Sequence, residues 1–272
     1  MNTKRTQVVL ICGALVLLVL LFIAPKTITA GHEAQEEENA TQKSGVSLDA
    51  NLSVYLNMAA KNLEPGKKSE LDILVLQKKQ DSLIAFWDNL KRPDLASFYL
   101  EEVAKTENTA DIWFKAGNRY YYAVQFSKDK TEVPVLYQSA MRCFTKGLAL
   151  APQDQDAKIM MAACYVEGTQ DPMEGIRRLR EIEKTDSNNV KLQLTFAFFS
   201  IKSGQYDKAI ARFNKALNID STYIEAYLHL ADAYEQQNNI EKTIQVLEKY
   251  ASKTNDVIAK IEIDKYIQQL KK

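Results

Sequence analysis

Short side chains recur at an interval of 34 residues in the last third of the chain, and this recurrence limits the possible folds most strongly. The segments 190–217 and 224–250 align at that offset, which brings Ala197 onto Ala231. Small residues at such positions let two antiparallel helices approach closely, while large residues fill the space around the contact. The pattern therefore predicts consecutive pairs of antiparallel helices.

The same spacing extends towards the N-terminus. Further units begin at residues 110 and 156, and a weaker unit begins near residue 77. The alternation of apolar and polar residues that is typical of strands does not interrupt the series. The sequence therefore predicts an all-α chain of four to five helix pairs, in which N-terminal helices with a degenerate repeat (51–109) precede well-formed repeats (110–255).

An amphipathic helix at 256–272 completes the series. Its spacing predicts that five apolar or aromatic side chains lie on one side, namely Ile258, Ile261, Tyr266, Ile267 and Leu270. A charged opposite face suits a helix that covers the last apolar edge of a stack of repeats. We therefore expect a C-terminal capping helix.

The register of these units resembles that of the tetratricopeptide repeat (TPR) family, whose repeats are 34 residues long. Trp113, Gly117 and Tyr120 match the Trp, Gly and Tyr of the family's first helix, and Phe144 matches the Phe of its second. The resemblance implies an all-α, TPR-type right-handed α-solenoid. It also implies a concave groove, lined by the first helix of each pair, that binds a protein or peptide partner.

The groove positions of the family can be carried over to thirteen residues of this chain. They combine aromatic and apolar side chains with polar and charged ones, as recognition of an extended peptide or a helix requires. The predicted lining consists of Asn118, Tyr121, Tyr122, Met160, Cys164, Glu167, Lys191, Phe198, Ile201, Lys202, Glu225, Asp232 and Glu235. Some family members clamp a partner's C-terminal carboxylate, but Lys115 and Asn118 lack the spacing for that clamp.

The N-terminal part predicts a membrane anchor and a tether. Residues 8–24 are uncharged and mostly apolar, and a helix of that length spans roughly 25 Å. Basic residues before the apolar run place residues 1–7 in the cytoplasm. Residues 25–50 are polar and rich in Glu, which predicts a flexible acidic linker. A cleaved signal peptide, or lipid attachment at Cys12, remains an alternative to this anchor.

This layout resembles that of membrane-anchored TPR proteins of bacterial inner membranes. The resemblance implies a single-pass protein of the cytoplasmic membrane with its repeats in the periplasm. It also implies a scaffold or adaptor role, in envelope protein assembly, secretion or cytochrome c maturation. The alternative is a structural or oligomerisation module whose groove is filled by the chain's own N-terminal helices or by a second copy.

No residue pattern indicates catalysis. The chain has 35 basic and 35 acidic residues, so no basic excess indicates nucleic-acid binding. His229 has an acidic neighbour in Asp232 but no nucleophile to activate, and the common phosphate-binding and zinc motifs do not occur. We therefore predict no enzymatic activity, cofactor or metal. Cys143 and Cys164 are either buried thiols or, in an oxidising compartment, a disulfide.

Overall fold

The computed structural model describes residues 48–127 and 132–272, which contain α-helices and no strand. The predicted membrane segment 8–24 lies outside the described residues, as does the predicted linker up to residue 47. Among the helices that are described, none is both long and apolar enough to cross a bilayer. These helices are α1 (Leu48–Lys61), α2 (Pro65–Leu76), α3 (Gln80–Asn89), α4 (Pro93–Glu107), α5 (Ala110–Ala123), α6 (Val133–Leu150), α7 (Gln155–Gly168), α8 (Pro172–Thr185), α9 (Val190–Lys202), α10 (Tyr206–Ile219), α11 (Glu225–Gln236), α12 (Ile240–Lys253) and α13 (Val257–Leu270), and a short 3₁₀ helix (Val124–Phe126) follows α5.

The helices from α3 to α12 form five consecutive pairs, in which each helix packs against the next along the chain. The first helices of successive pairs also meet, α5 with α7 and α7 with α9. The last helix, α13, packs on α12. This arrangement confirms an all-helical, TPR-like solenoid over the described part of the chain.

Glycine and alanine lie where paired helices touch, as the repeat predicts. A methyl group on Gly175 of α8 would lie 2.5 Å from the carbonyl oxygen of Ala162 in α7. A methyl group on Gly117 of α5 would lie 3.0 Å from the ring of Phe144 in α6. Because real Cβ atoms do not approach backbone atoms as closely as 2.5 Å, a larger residue at Gly175 would force α7 and α8 apart, whereas one at Gly117 would displace the ring of Phe144.

The turns within the last two pairs adopt the same backbone conformation. Gly204 has a φ of 69° and Asn238 has a φ of 56°, so each occupies the left-handed region that glycine and asparagine tolerate best. Side-chain caps then start several helices: for example, Oδ1 of Asn239 accepts a hydrogen bond of 3.2 Å from the backbone N–H of Lys242. The left-handed residue that ends the first helix of these two pairs therefore recurs at the repeat interval.

A buried carboxylate joins three helices in the first half of the solenoid. Glu101 of α4 is almost fully buried and accepts a hydrogen bond of 2.9 Å from the hydroxyl of Tyr120 in α5. It also accepts two hydrogen bonds of 2.8 Å from the guanidinium of Arg142 in α6. Burial and the charge of Glu101 raise the pKa of Tyr120. A buried charge with these partners is satisfied, so the network fixes how α4, α5 and α6 pack together.

The capping helix buries a different face from the one predicted. Ile267 is buried, and Ile263, Tyr266 and Leu270 pack against the same cluster, whereas Ile258 is 71% exposed and Ile261 is 49% exposed. At about 100° per residue, Ile258 and Ile267 point in opposite directions. The prediction that all five side chains share one face was therefore wrong for Ile258 and Ile261.

Candidate binding groove

A groove of about 870 Å³ runs along the first helices of three consecutive pairs, α5, α7 and α9. The turn before α11 contributes Asp220 and Tyr223 to its lining. Buried or partly buried apolar side chains form its floor, and aromatic and charged side chains stand above them. Its lining consists of Tyr121, Tyr122, Gln125, Asp156, Met160, Ala163, Glu167, Asn189, Val190, Lys191, Leu194, Thr195, Phe198, Phe199, Lys202, Asp220, Tyr223 and His229.

Three exposed aromatic side chains stand in the groove. Tyr122 is 52% exposed, Tyr223 is 47% exposed and Phe198 is 37% exposed. Burial, followed by the nearby Tyr223 phenol, raises the pKa of Tyr122. The ring of Phe198 meets His229 edge-on at 4.8 Å between centroids. Exposed aromatic side chains in a concave surface are typical of sites that bury a ligand.

Glu167 of α7 connects four helices beneath these rings. Its Oε2 accepts hydrogen bonds from the hydroxyls of Tyr121 in α5, at 2.7 Å, and Tyr137 in α6, at 3.1 Å. Its Oε1 pairs with the ammonium of Lys202 in α9. Burial, followed by the charge of Glu167, raises the pKa of both tyrosines, which therefore stay protonated as donors. The carboxylate thus holds the helices that form the groove in one arrangement.

Both lysines of the groove have carboxylate partners. Lys191 of α9 forms an ion pair of 3.2 Å with Asp156 of α7, and Lys202 pairs with Glu167. Among the described residues that line the groove, both lysines are therefore already engaged by carboxylates. These pairs also link α9 to α7 at two points along the groove.

His229 stands at the α11 end of the groove and is neutral near pH 7. Burial lowers its pKa, and the nearby charges of Asp232 and Glu225 only partly oppose this effect. The imidazole packs edge-on against Phe198 and stacks on Phe213 with 5.9 Å between ring centroids. It therefore serves as part of an aromatic surface, and no group able to act as a nucleophile is hydrogen-bonded to it in the described residues.

Seven of the thirteen predicted residues line the groove: Tyr121, Tyr122, Met160, Glu167, Lys191, Phe198 and Lys202. The other six, Asn118, Cys164, Ile201, Glu225, Asp232 and Glu235, do not belong to its lining. Glu235 instead accepts a hydrogen bond of 2.5 Å from Tyr266 of the capping helix.

Cys164 is fully buried in the core around α5 to α7, so we assign it to helix packing and not to the groove. The structure contains Cys143 and Cys164 as free thiols. Burial raises the pKa of each thiol, so both remain protonated at neutral pH. Within the described ranges, no cluster of His, Cys, Asp and Glu side chains could hold a metal ion.

Sequence reasoning missed several lining residues, of which Tyr223 and His229 contribute most to the aromatic surface. Tyr223 lies in the turn before α11, outside the first helices from which the prediction was drawn. His229 lies on α11 but at a position that the family pattern does not assign to the groove. A tyrosine among the polar residues of the turn "IDSTYIE" was the one available signal.

The described part of the chain defines its class as an all-helical, TPR-like solenoid with a groove along the first helices. A family model described as TPR repeat matches residues 201–238, and a second, described as tetratricopeptide repeat, matches residues 225–253. The chain therefore carries tetratricopeptide repeats in this region. No curated protein matches the chain.

Several solved TPR structures are similar to this chain. A TPR protein from Parabacteroides merdae has 15% sequence identity and a TM-score of 0.48, with 88% of each chain covered. A thermophilic TPR protein from Thermus thermophilus has 16% identity and a TM-score of 0.48, covering 69% of this chain and 97% of that one. YrrB, described as a TPR protein with an unusual peptide-binding site, has 18% identity and a TM-score of 0.40, covering 72% of this chain and 97% of that one.

Proposed function

We propose that this protein is a non-catalytic scaffold that holds an extended segment of a partner protein in the groove along α5, α7 and α9. The observation that carries the proposal is the exposure of Tyr122, Phe198 and Tyr223 together within one concave surface. Burying such rings against a partner removes apolar area from water, which stabilises a complex. The hydrogen-bonded support around Glu167 keeps the surface formed before the partner arrives.

The groove favours a partner segment with apolar or aromatic side chains in its interior. Met160 and Leu194 are buried in the floor, so an apolar side chain can pack on them between the exposed rings. The terminal carboxylate of a partner would not be the main anchor, because both groove lysines are already paired. An internal segment, in an extended or helical conformation, fits this chemistry.

The groove can be tested with peptides selected on the full chain from a displayed library of random twelve-residue sequences. Replacing Phe198 or Tyr223 with Ala should raise the dissociation constant of a selected peptide about tenfold, as loss of an aromatic anchor commonly does. Fluorescence anisotropy measures this change. As a control, Leu150→Ala removes an exposed apolar side chain outside the groove and should leave binding unchanged. Equal binding by all three variants would refute the proposed site.

Self-filling of the groove is the competing function. The N-terminal helices α1 and α2 contribute no residue to the lining; they pack with α3 and α4 in a separate cluster. A second copy therefore remains the occupant to test. If it fills the groove, light scattering should show a dimer that Phe198→Ala converts to a monomer. A monomer that binds selected peptides supports the scaffold.

We further propose that residues 8–24 anchor the scaffold in the cytoplasmic membrane, with the repeats in the periplasm. The support is the length and apolar character of this segment and the basic residues before it. Anchoring would raise the local concentration of a bound partner at the membrane. Expressed in a bacterium, the full chain should sediment with membranes and resist carbonate extraction, whereas residues 25–272 should not. Full extraction of the whole chain by carbonate would overturn the anchor.

A further inference from the structure

A second cleft, of about 420 Å³, lies between α8, α9 and α10. It is on the other side of α9 from the groove, and Phe199 is the one residue that lines both. The lining consists of Met173, Ile176, Arg180, Phe196, Phe199, Ser200, Ser203, Gln205, Lys208, Ala211 and Arg212. None of the positions predicted for the groove lies in it.

The cleft exists because α8 packs closely on α7 but only loosely on the following helix α9. At the equivalent junctions, α6 packs closely on α7 and α10 packs closely on α11. Side chains of a small cluster, which includes Leu179 of α8 and Leu192 of α9, join the two helices at the loose junction. The outer part of this junction is left open between the helices.

The floor and one wall of the cleft are apolar. Phe196 of α9 is buried at the bottom, and Ile176 of α8 and Phe199 of α9 are partly buried above it. Met173 stands at the rim with 65% of its surface exposed. A flexible methionine beside aromatic rings can adapt to an apolar side chain that enters the cleft.

The charged residues of the lining are all basic: Arg180, Lys208 and Arg212. Arg212 is already engaged, because it pairs with Glu183 and lies 4.4 Å above the ring of Phe196. Lys208 donates a hydrogen bond of 2.5 Å to the neutral side chain of Gln205, so its charge is not neutralised there. Arg180 has no ion-pair partner among the residues that the structure describes. Two cations therefore face an apolar cleft without a carboxylate in its wall.

We propose that this cleft binds an acidic, apolar segment of a partner protein. A large apolar side chain of that segment would pack between Met173, Ile176 and Phe199. Carboxylates next to it would pair with Arg180 and Lys208, and charge complementarity selects such a segment over a basic one. The protein would then have two docking surfaces, one on each side of α9.

Fluorescence anisotropy on the full chain in mild detergent tests this site with designed peptides. The probe is a labelled twelve-residue peptide in which glutamates flank leucine and phenylalanine, and the comparison peptide has lysine at every glutamate position. The double variant Arg180→Glu/Lys208→Glu should weaken binding of the acidic probe about tenfold or more. The control variant Arg177→Glu/Lys184→Glu reverses two positive charges of α8 outside the cleft, so the net charge changes by the same amount. It should have a much smaller effect on binding of the acidic probe. The lysine peptide should bind more weakly than the acidic one to the unmodified protein.

A second variant separates the site from general charge effects. Met173→Ser removes the apolar side chain at the rim while leaving every charge in place, and it should also weaken binding of the acidic probe. Circular dichroism checks that each variant remains helical, which is expected because the altered side chains lie outside the buried core. Equal binding by the Arg180/Lys208 variant and the unmodified protein, or equal binding of the lysine peptide, would overturn the proposal. Neither outcome decides whether the groove binds a partner, because that proposal is tested separately with Phe198, Tyr223 and library peptides.

Discussion

At the scale of single residues, the smallest side chains have the clearest structural roles. Gly175 lies against the backbone of α7, with the carbonyl oxygen of Ala162 and the backbone nitrogen of Val166 within 2.7 Å of where a methyl group would be. Neither of those atoms is the end of a flexible side chain, so neither can move without moving the helix. The distance between α7 and α8 therefore depends on the absence of a side chain at Gly175.

Replacing Gly175 with Ala should reduce the free energy of unfolding by about 1–3 kcal/mol, because the added methyl group forces two packed helices apart. Urea denaturation followed by circular dichroism measures the change. Gly66→Ala is the matched control: it adds the same methyl group to α2 where no atom lies within 4 Å. A free energy of unfolding for Gly175→Ala equal to that of Gly66→Ala would show that the helices move apart without cost, because Ala also has the higher helix propensity at both positions.

His229 should make stability depend on pH in a definite direction. Its pKa is lowered from 6.5, chiefly by burial, in the folded state, so below 6.5 the unfolded chain binds a proton more readily than the folded one. The free energy of unfolding should therefore fall as the pH drops from 6.5 through the folded-state pKa. The effect is small because the ring is partly exposed.

Urea unfolding at pH 5 to 8 can isolate this contribution by comparing the protein with a His229→Gln variant. As the pH falls, the unmodified protein should lose stability relative to the His229→Gln variant. NMR titration of His229 gives its pKa directly. A folded-state pKa above 6.5 would reverse the sign and contradict the prediction.

At the scale of helices, position in the stack decides which face is buried. Glu101 fixes α4 against α5 and α6, and Glu167 fixes α7 against α5, α6 and α9. The capping helix α13 has apolar residues on two sides, and packing on the last pair selects the side that includes Ile267. The local pattern of α13 alone did not distinguish these sides.

Deleting residues 256–272 should expose the last core cluster and lower the free energy of unfolding by on the order of 3 kcal/mol. The loss is expected because removal of Ile267 and its partly buried neighbours exposes the apolar area that they cover. Urea denaturation measures the loss, and increased binding of a hydrophobic dye reports the exposed surface. The double variant Ile258→Ser/Ile261→Ser changes only exposed side chains and should stay within about 0.5 kcal/mol of the unmodified protein. A large loss in that control would show that Ile258 and Ile261 are covered in solution.

At the scale of the whole molecule, the described part behaves as a row of neighbouring cores. Separate buried clusters are centred on α3–α4, on α5–α7, on the junction of α7 to α9, and on α9–α13. In such a solenoid each unit contacts only its neighbours, so stability is approximately a sum of local contributions and interface contributions. Damage to one cluster should therefore stay local under native conditions.

Hydrogen exchange can test this locality. Leu95→Ala removes a fully buried side chain of α4 and should cost about 2–5 kcal/mol in that cluster. Amide exchange should speed up in α3 and α4 while α11 and α12 keep their protection. Leu230→Ala in α11 should give the reverse pattern. Equal acceleration at both ends would show that the solenoid unfolds as one cooperative unit.

The sequence predicted seven of the eighteen residues that line the groove, and the physical reason is specific. Tyr121, Tyr122, Met160 and Phe198 lie on first helices whose inward side follows from the repeat register. Cys164 follows the same register but is covered by neighbouring helices. Residues in turns, such as Tyr223, and residues engaged by other elements of the fold could not be predicted in this way. Their positions depend on contacts that no local spacing encodes.

The spacing of small and large residues determined the pairing of helices from residue 110 onwards, because close approach of two backbones requires short side chains at fixed intervals. Only the tertiary structure decided which side of α13 is buried, which carboxylates neutralise the groove lysines, and where α8 separates from α9 to form a cleft. Those features arise from packing between residues distant in the chain, where several elements compete for the same neighbours. Local periodicity describes each helix alone and does not determine which of these neighbours it contacts.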